Sequence, residues 1–261
     1  MNIVIFGANG QTGRLLTGEA LAAGHRVVAV TRRPDEFPLS GAGLTVAGVD
    51  VHDEAAVAQV VAGADVVLST LGVSFTREPV DTYSVGTGNI VAAMCAAGVR
   101  RLIVVSSTAV YPTRRSRNQL ALRVLEPIIR RTIGKTVYDD MRRMEKTVRG
   151  SDLEWTVVRP SGLFDLPEPT EYHAGEVDPI GGFTARIDLA HYLLALADDA
   201  TTVRRTVVVS TTEHTPTVRQ MIRREARSKP DAGSATHNLD KGLPRGERSR
   251  RAGATLRKDQ P

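Results

Sequence analysis

Seven residues near the N-terminus, Gly7-Ala8-Asn9-Gly10-Gln11-Thr12-Gly13, carry the strongest chemical signal in the chain. The glycines recur at three-residue spacing directly after the apolar run Asn2–Phe6. A turn of this kind lets backbone approach a phosphate closely, and the N–H groups and dipole of a following helix attract its charge. An amphipathic segment over residues 12–23 follows at once, so the context is strand, glycine turn, helix. The expected ligand is the pyrophosphate of a dinucleotide, held by Gly7, Asn9, Gly10, Gln11, Thr12 and Gly13. The spacing is Gly-x-x-Gly-x-x-Gly, not the commoner Gly-x-Gly-x-x-Gly.

The end of the second strand distinguishes the two pyridine nucleotides. An acidic residue there would bind a ribose 2′-hydroxyl and repel a 2′-phosphate. This chain has Thr31-Arg32-Arg33 instead, and two guanidiniums suit a dianionic phosphate. The expectation is NADP(H) in preference to NAD(H), with Arg32 and Arg33 as contacts. Asp50-Val51 follows the third strand, where a carboxylate can accept from the adenine amine. Ser69-Thr70-Leu71-Gly72 closes the fourth strand, where ribose and nicotinamide would lie. Ser106-Ser107-Thr108 closes the fifth. Either hydroxyl run alone could simply cap a helix; their shared edge with the glycine loop favours the cofactor.

Other chemistry is thinner. His25, His52, His173, His191, His214 and His237 show no metal-ligand spacing, and no Cys–His set exists, so no metal is expected. Gly-x-Ser-x-Gly is absent, which removes support for a hydrolase elbow. Tyr172-His173 falls in a Pro/Glu-rich stretch, 166–179, expected to be a loop on the nicotinamide side; His173 could donate a proton there or simply be exposed. Tyr111, Phe164 and Tyr172 could form an aromatic wall for a planar ring. Arg159 ends the sixth strand, where it could meet an anionic substrate or serve the strand itself.

These residues need elements to hold them. β-Branched runs at 2–6, 26–30, 44–47, 65–68, 101–105, 155–158 and 206–209 alternate with helical patterns at 12–23, 54–61, 81–97, 138–148 and 187–197. Asp53 is placed to cap the second helix, and Gly98 to end the third. Continuous apolar strands alternating with helices predict an α/β fold, a Rossmann-like doubly wound parallel sheet covered on both faces. The 261 residues allow one such domain, expected at 1–216, followed by a short helix and a basic flexible tail at 217–261. The tail holds a net charge of +7 and the rest of the chain −2, so the basic pI belongs to the tail. The body thus gives no electrostatic reason to expect nucleic acid, and contact of the tail with nucleic acid or membrane is not favoured. Residues 112–134 form a second basic segment, rich in Arg and Leu, read as a solvated rim helix. The single cysteine, Cys95, and the lack of a secretory leader or membrane-length apolar run favour a cytoplasmic location.

The glycine cluster resembles that of the short-chain dehydrogenase/reductase superfamily, in its atypical, NAD(P)H-binding, NmrA-like branch. The closest likeness is to the biliverdin reductase B/flavin reductase group. It extends through Gly86-Thr87-Gly88-Asn89-Ile90-Val91-Ala92-Ala93-Met94, Asp139–Met144, Ser151–Pro160 and Asp188-Leu189-Ala190, and covers most of residues 1–214. The resemblance implies hydride transfer from NADPH to a small planar acceptor such as a flavin, quinone or tetrapyrrole. In that group a pocket hydroxyl serves the site, and it falls on Thr108 here, with Ser107 adjacent. The group's substrate-side histidines fall on Met141 and Gly162, so its substrate range does not carry over. Typical members use Tyr-x-x-x-Lys; here the nearest match is Tyr138-Asp-Asp-Met-Arg142. Thr108, Ser107 and Tyr138 are therefore the catalytic candidates. The alternatives are a non-catalytic NADP(H)-binding redox sensor and a nucleotide-sugar epimerase or dehydratase.

Overall fold

The computed structural model describes residues 1–111, 134–180 and 182–217. The basic segment at 112–134 lies almost wholly outside them, as does the tail from residue 218.

Strands β1 (Asn2–Phe6), β2 (Arg26–Thr31), β3 (Leu44–Gly48), β4 (Val66–Ser69), β5 (Arg101–Val105) and β6 (Glu154–Pro160) stand in the order 3-2-1-4-5-6, all parallel. The short strands β7 (Gly162–Phe164) and β9 (Phe183–Ala185) pair separately. β10 (Arg205–Thr211) extends the main sheet parallel to β6, and β8 (Tyr172–Gly175) closes its edge antiparallel to β10. The doubly wound sheet is as expected, with two corrections. Its last strand runs against the others, and part of the 166–179 stretch is that strand instead of a loop. Tyr172 and Ala174 are two apart and pack on the core, a period-two pattern too short to stand out among the prolines and glutamates.

Both faces of the central strands are buried because their side chains alternate. In β1, Val4 and Phe6 enter one core and Ile3 and Ile5 the other. Helices α2 (Glu54–Val61), α3 (Ser84–Ala97) and α4 (Lys135–Arg149) cover the first face. Helices α1 (Gln11–Ala22) and α5 (Arg186–Ala195) cover the second and pack on each other. The inward stripe of α4 is Val137, Met141, Met144 and Val148, at helical spacing. Asp53 accepts from the Ala56 N–H at 3.0 Å and caps α2 as expected. Gly98 ends α3 in the left-handed conformation, φ 72°.

α3 starts three residues later than its sequence pattern predicts. The cause is tertiary: Asp140 of α4, fully buried, accepts from the N–H groups of Tyr83 (2.8 Å) and Ser84 (3.3 Å). The α3 N-terminus is thus capped by another helix, and Asp81 is left in the preceding turn. Asp140 also accepts from Arg143 at 3.0 Å. Removing its carboxylate leaves two N–H groups unpaired, a cost of roughly 2–3 kcal/mol. Asp140→Ala should therefore lower unfolding free energy by about that amount in urea titration. A change below about 0.5 kcal/mol, the range of a neutral surface substitution, would contradict the capping role.

Candidate cofactor and active site

The carboxyl ends of β1 to β5 bring the expected cofactor residues to one edge. β1 lies between β2 and β4, so this is the point where strand order reverses and where such sheets form a ligand crevice. The glycine loop is built by close backbone approach. Gly7 has φ +74°, and a β-carbon on it would lie 2.6 Å from the Thr70 carbonyl oxygen. A β-carbon on Gly13 would lie 2.3 Å from the Gly7 carbonyl oxygen. The Thr70 hydroxyl donates back to the Phe6 carbonyl at 3.0 Å, tying β4 to the loop.

Gly10 is the N-cap of α1 and has no side chain to offer the first-turn N–H groups, and that turn holds no acidic residue. Gln11, Thr12 and Gly13 thus head a helix whose positive end is left for an outside anion. This observation fits the pyrophosphate of a dinucleotide. Sequence reading missed Arg14, whose Nε donates to the Asn9 carbonyl and to its Oδ1, each at 3.0 Å. It fixes the loop and places a cation beside it; a basic residue in a helix's first turn gave no signal of that bond.

Arg32 and Arg33 follow β2, both exposed, but they differ. Arg33 pairs with Glu36 at 3.0 Å, whereas Arg32 makes no ion pair or side-chain hydrogen bond among the described residues. Exposed pairs like Arg33–Glu36 are weak and easily exchanged for a better anion. Asp50 and Val51 stand after β3. Val51 is buried, its carbonyl accepts from Asn89 Nδ2 at 2.9 Å, and Gly86 of α3 leaves room for its side chain. Ser69 is buried, Leu71 is half-buried and packs on the first core, and Gly72 is exposed.

The β5 end divides its three hydroxyls. Ser106 is turned inward and donates to Glu145 at 2.6 Å. Ser107 is half-buried and accepts from the Ala109 N–H at 3.2 Å. Thr108 is buried, and its N–H donates to the Pro160 carbonyl at 3.0 Å, which extends the β5–β6 pairing. Tyr138 lies in the first turn of α4, half-buried against the core, 5.7 Å from the Phe75 ring. Arg142, at the position of the usual lysine, donates Nε and Nη2 to the Val110 carbonyl at 3.2 and 3.1 Å and pairs with Asp139.

Glu145 was not legible in sequence, since a glutamate in an Arg/Lys-rich helix reads as exposed. It is fully buried and accepts from Ser106, Arg149 (2.8 Å) and both Nε and Nη2 of Arg159 (3.0 and 2.6 Å). Of the two roles open to Arg159, the structure realises the internal one. Its guanidinium lies 4.6 Å from the centre of the Tyr111 ring. The expected aromatic wall does not form: Tyr111 covers Arg159, Phe164 meets Phe183, and Tyr172 meets His191 and Tyr192. The three residues sit on separate elements, each captured by its own neighbour. The Tyr172 hydroxyl lies 2.8 Å from His191 Nδ1, and burial, then the Asp188 and Glu19 charges, push its pKa up to about 12. Among the described residues no cluster of three His, Cys, Asp or Glu side chains could hold a metal ion, and no helix is long and apolar enough to cross a membrane.

His52 joins Asp50 (Nδ1, 2.9 Å) to Asp81 (Nε2, 3.1 Å) beyond the end of β3. A neutral imidazole has one N–H, so donating to both carboxylates needs the protonated ring. Hydrogen bonds to Asp50 and then Asp81 accordingly raise the His52 pKa above 6.5. The His52 backbone N–H, then its side chain, hold Asp50 below its usual value. The His52 contribution to stability is complete below the unfolded-state pKa and fades as pH rises through the folded one; the Asp50 contribution is present above its unfolded pKa and is lost as pH falls through its folded one. Both groups are exposed, so the effect is small. In a proton NMR titration His52 should show a midpoint above 6.5, moving back toward 6.5 in Asp50→Asn. An unchanged midpoint in that variant would remove the bridge.

Comparison with known proteins agrees with this geometry. An uncharacterized protein of Mycobacterium tuberculosis is 38% identical over 108 residues, which are 41% of this chain but only 12% of that longer protein. YhfK of Bacillus subtilis, described as an uncharacterized sugar epimerase, is 26% identical over 78% of this chain and 92% of its own. A (4-alkanoyl-5-oxo-2,5-dihydrofuran-3-yl)methyl phosphate reductase of Streptomyces griseus is 32% identical over 60% of this chain and 46% of its own. Among solved structures, a short-chain dehydrogenase/reductase of Veillonella parvula in complex with NADP superposes with a TM-score of 0.67 at 20% identity, over 81% of this chain and 95% of that one. ChuY, an anaerobilin reductase of Escherichia coli O157:H7, gives 0.63 at 21%, over 83% and 100%. At such identities the likeness shows the fold. One family model, described as NAD(P)H-binding, matches residues 7–200. With that match running from the first glycine of the loop to beyond α5, the chain belongs to the NAD(P)H-binding family, in keeping with its resemblance to the atypical short-chain dehydrogenases/reductases.

Proposed function

We propose that this chain is an NADPH-dependent reductase that delivers hydride to a small, planar, conjugated acceptor such as a flavin, quinone or tetrapyrrole. The observation that carries the reading is the glycine loop heading α1 with Arg32 and Arg33, instead of an acidic residue, at the neighbouring strand end. Gln11, Thr12 and Gly13 would hold the pyrophosphate. Arg32, which makes no ion pair among the described residues, would take the 2′-phosphate, with Arg33 joining it from Glu36. Asp50 and Val51 would flank the adenine, and Ser69 to Gly72 the ribose and nicotinamide. When bound, the reduced nicotinamide supplies a hydride from C4, leaving NADP+, while the acceptor takes its proton from solvent or a site hydroxyl.

The chain's own part is to position and to exclude water. Ser107 and Thr108 would orient the nicotinamide amide or the acceptor. Tyr138 stands in the place of a general acid, but its partner Arg142 is spent on Val110 and Asp139. With Arg142 so engaged in place of the usual lysine, a plain ketone would be the poorer substrate. A flavin or quinone, whose reduced form carries its own charge well, needs no strong acid. The reductases from S. griseus and E. coli add support, since both are named for reductions. A second reading, a redox sensor that binds NADP(H) without turnover, is favoured by the same engagement of Arg142.

NADPH oxidation with FMN or menadione should exceed a no-enzyme blank; binding without turnover would establish the sensor instead. A UDP-sugar tested alongside covers the epimerase activity named for YhfK. Arg32→Ala should raise KM for NADPH roughly 10- to 100-fold, the loss of one or two charge-assisted contacts, and leave KM for NADH nearly unchanged. An unaltered NADPH KM would refute the 2′-phosphate assignment.

A further inference from the structure

We infer that Phe75 is a specificity-determining residue, the ring against which a planar conjugated acceptor stacks; this rests on the reductase reading of the same site. Phe75 is one of four large apolar residues left exposed among the described residues, at 47%. A lone exposed apolar side chain is ordinary. This one differs in how it is held. It lies in the segment leaving β4, whose carboxyl end lines the cofactor crevice. That segment is pinned around Phe75. The Val73 N–H donates to the Tyr83 hydroxyl at 3.2 Å on one side. The Thr76 carbonyl accepts from the Thr136 hydroxyl at 2.9 Å on the other. Farther along, the Val80 carbonyl accepts from Arg143 at 2.8 Å. The segment is thus fastened to Tyr83 at the head of α3 and to Thr136 and Arg143 of α4, with the phenyl ring left half exposed.

The ring also has an aromatic neighbour: its centroid is 5.7 Å from that of Tyr138, at an interplanar angle of 60°, a tilted contact that leaves Phe75 about half exposed. Tyr138 is one turn before Arg142, which grips Val110 just past the β5 hydroxyls. The first two turns of α4 are therefore flanked by the Phe75 segment and by the Ser107–Thr108 corner. An acceptor resting on Phe75 would lie beside the catalytic candidates and over the edge where the nicotinamide belongs. Only 11 of the 261 residues are aromatic, and Phe75 is an exposed one at this edge, beside the half-buried Tyr138. A flat π-surface matches an isoalloxazine, quinone or pyrrole ring better than it matches an aliphatic or sugar substrate.

The test uses the full chain and the variants Phe75→Ala, Phe75→Leu and Phe75→Trp, with menadione and FMN as acceptors. Readouts are the acceptor KM, kcat, NADPH affinity by fluorescence, and melting temperature. Phe75→Ala should raise the acceptor KM about 3- to 10-fold, the worth of one aromatic contact, without changing NADPH affinity or melting temperature. Phe75→Leu should recover little and Phe75→Trp most of the loss. Wild-type KM in Phe75→Ala, or full rescue by leucine, overturns the stacking role while leaving the reductase reading intact. A joint fall in NADPH affinity and melting temperature overturns it too, by showing a structural anchor. Wild-type protein without turnover above the blank overturns the reductase reading and this inference with it.

Discussion

Two backbone contacts at the head of the sheet leave no room for a β-carbon, and the rest of the site depends on them. Gly7 lies against the Thr70 peptide and Gly13 against the Gly7 carbonyl. The first contact joins β1 to the end of β4; the second draws α1 down onto the loop. Together they present the first-turn N–H groups of α1 at the crevice where strand order reverses. Any side chain at either position would push helix and sheet apart and carry the first turn of α1 away from the crevice.

Around this backbone frame, buried charges locate the helices. Asp140 and Glu145 project from one helix, α4. The first fixes the start of α3, and the second gathers Ser106, Arg149 and Arg159 beneath the ends of β5 and β6. Asp188 does the same for α5, accepting from Thr170 at 2.8 Å and from the Thr211 hydroxyl. On β5, Arg101 donates to the Leu196 carbonyl at 2.6 Å and to Thr156 at 2.8 Å, anchoring the far end of α5. Replacing such groups with apolar ones can be neutral, but losing one partner alone strands the other in a dry interior. Their common consequence is register: each sets where an element begins or ends relative to the crevice.

On the reductase reading, the cofactor side of this frame offers backbone donors and cations, and the acceptor side offers hydroxyls, Phe75 and a tyrosine with arginine where the usual lysine would stand. Such a site would hold a donor firmly and leave the acceptor to bring its own capacity for charge. Arg142 turns toward Val110, where arginine's fork finds a carbonyl and a carboxylate together, an arrangement that lysine's single ammonium would not reproduce.

Local and periodic features were decided by the sequence alone. Apolar runs of strand length, helical spacing of Val137, Met141, Met144 and Val148, the Asp53 cap, Gly98 in its left-handed turn and the glycine loop all act within a few residues of themselves. The family and its fold were legible for the same reason. Tertiary structure decided what depends on residues far apart. It paired β8 against β10, delayed α3 until Asp140 could cap it, buried Glu145, gave Arg159 to an internal ion pair, and parted the expected aromatic wall into three. It separated Arg32 from Arg33 by giving only one of them a glutamate. A side chain's type states what it is able to bind, but in a packed interior its partner is chosen by which elements the sheet brings within about 3 Å.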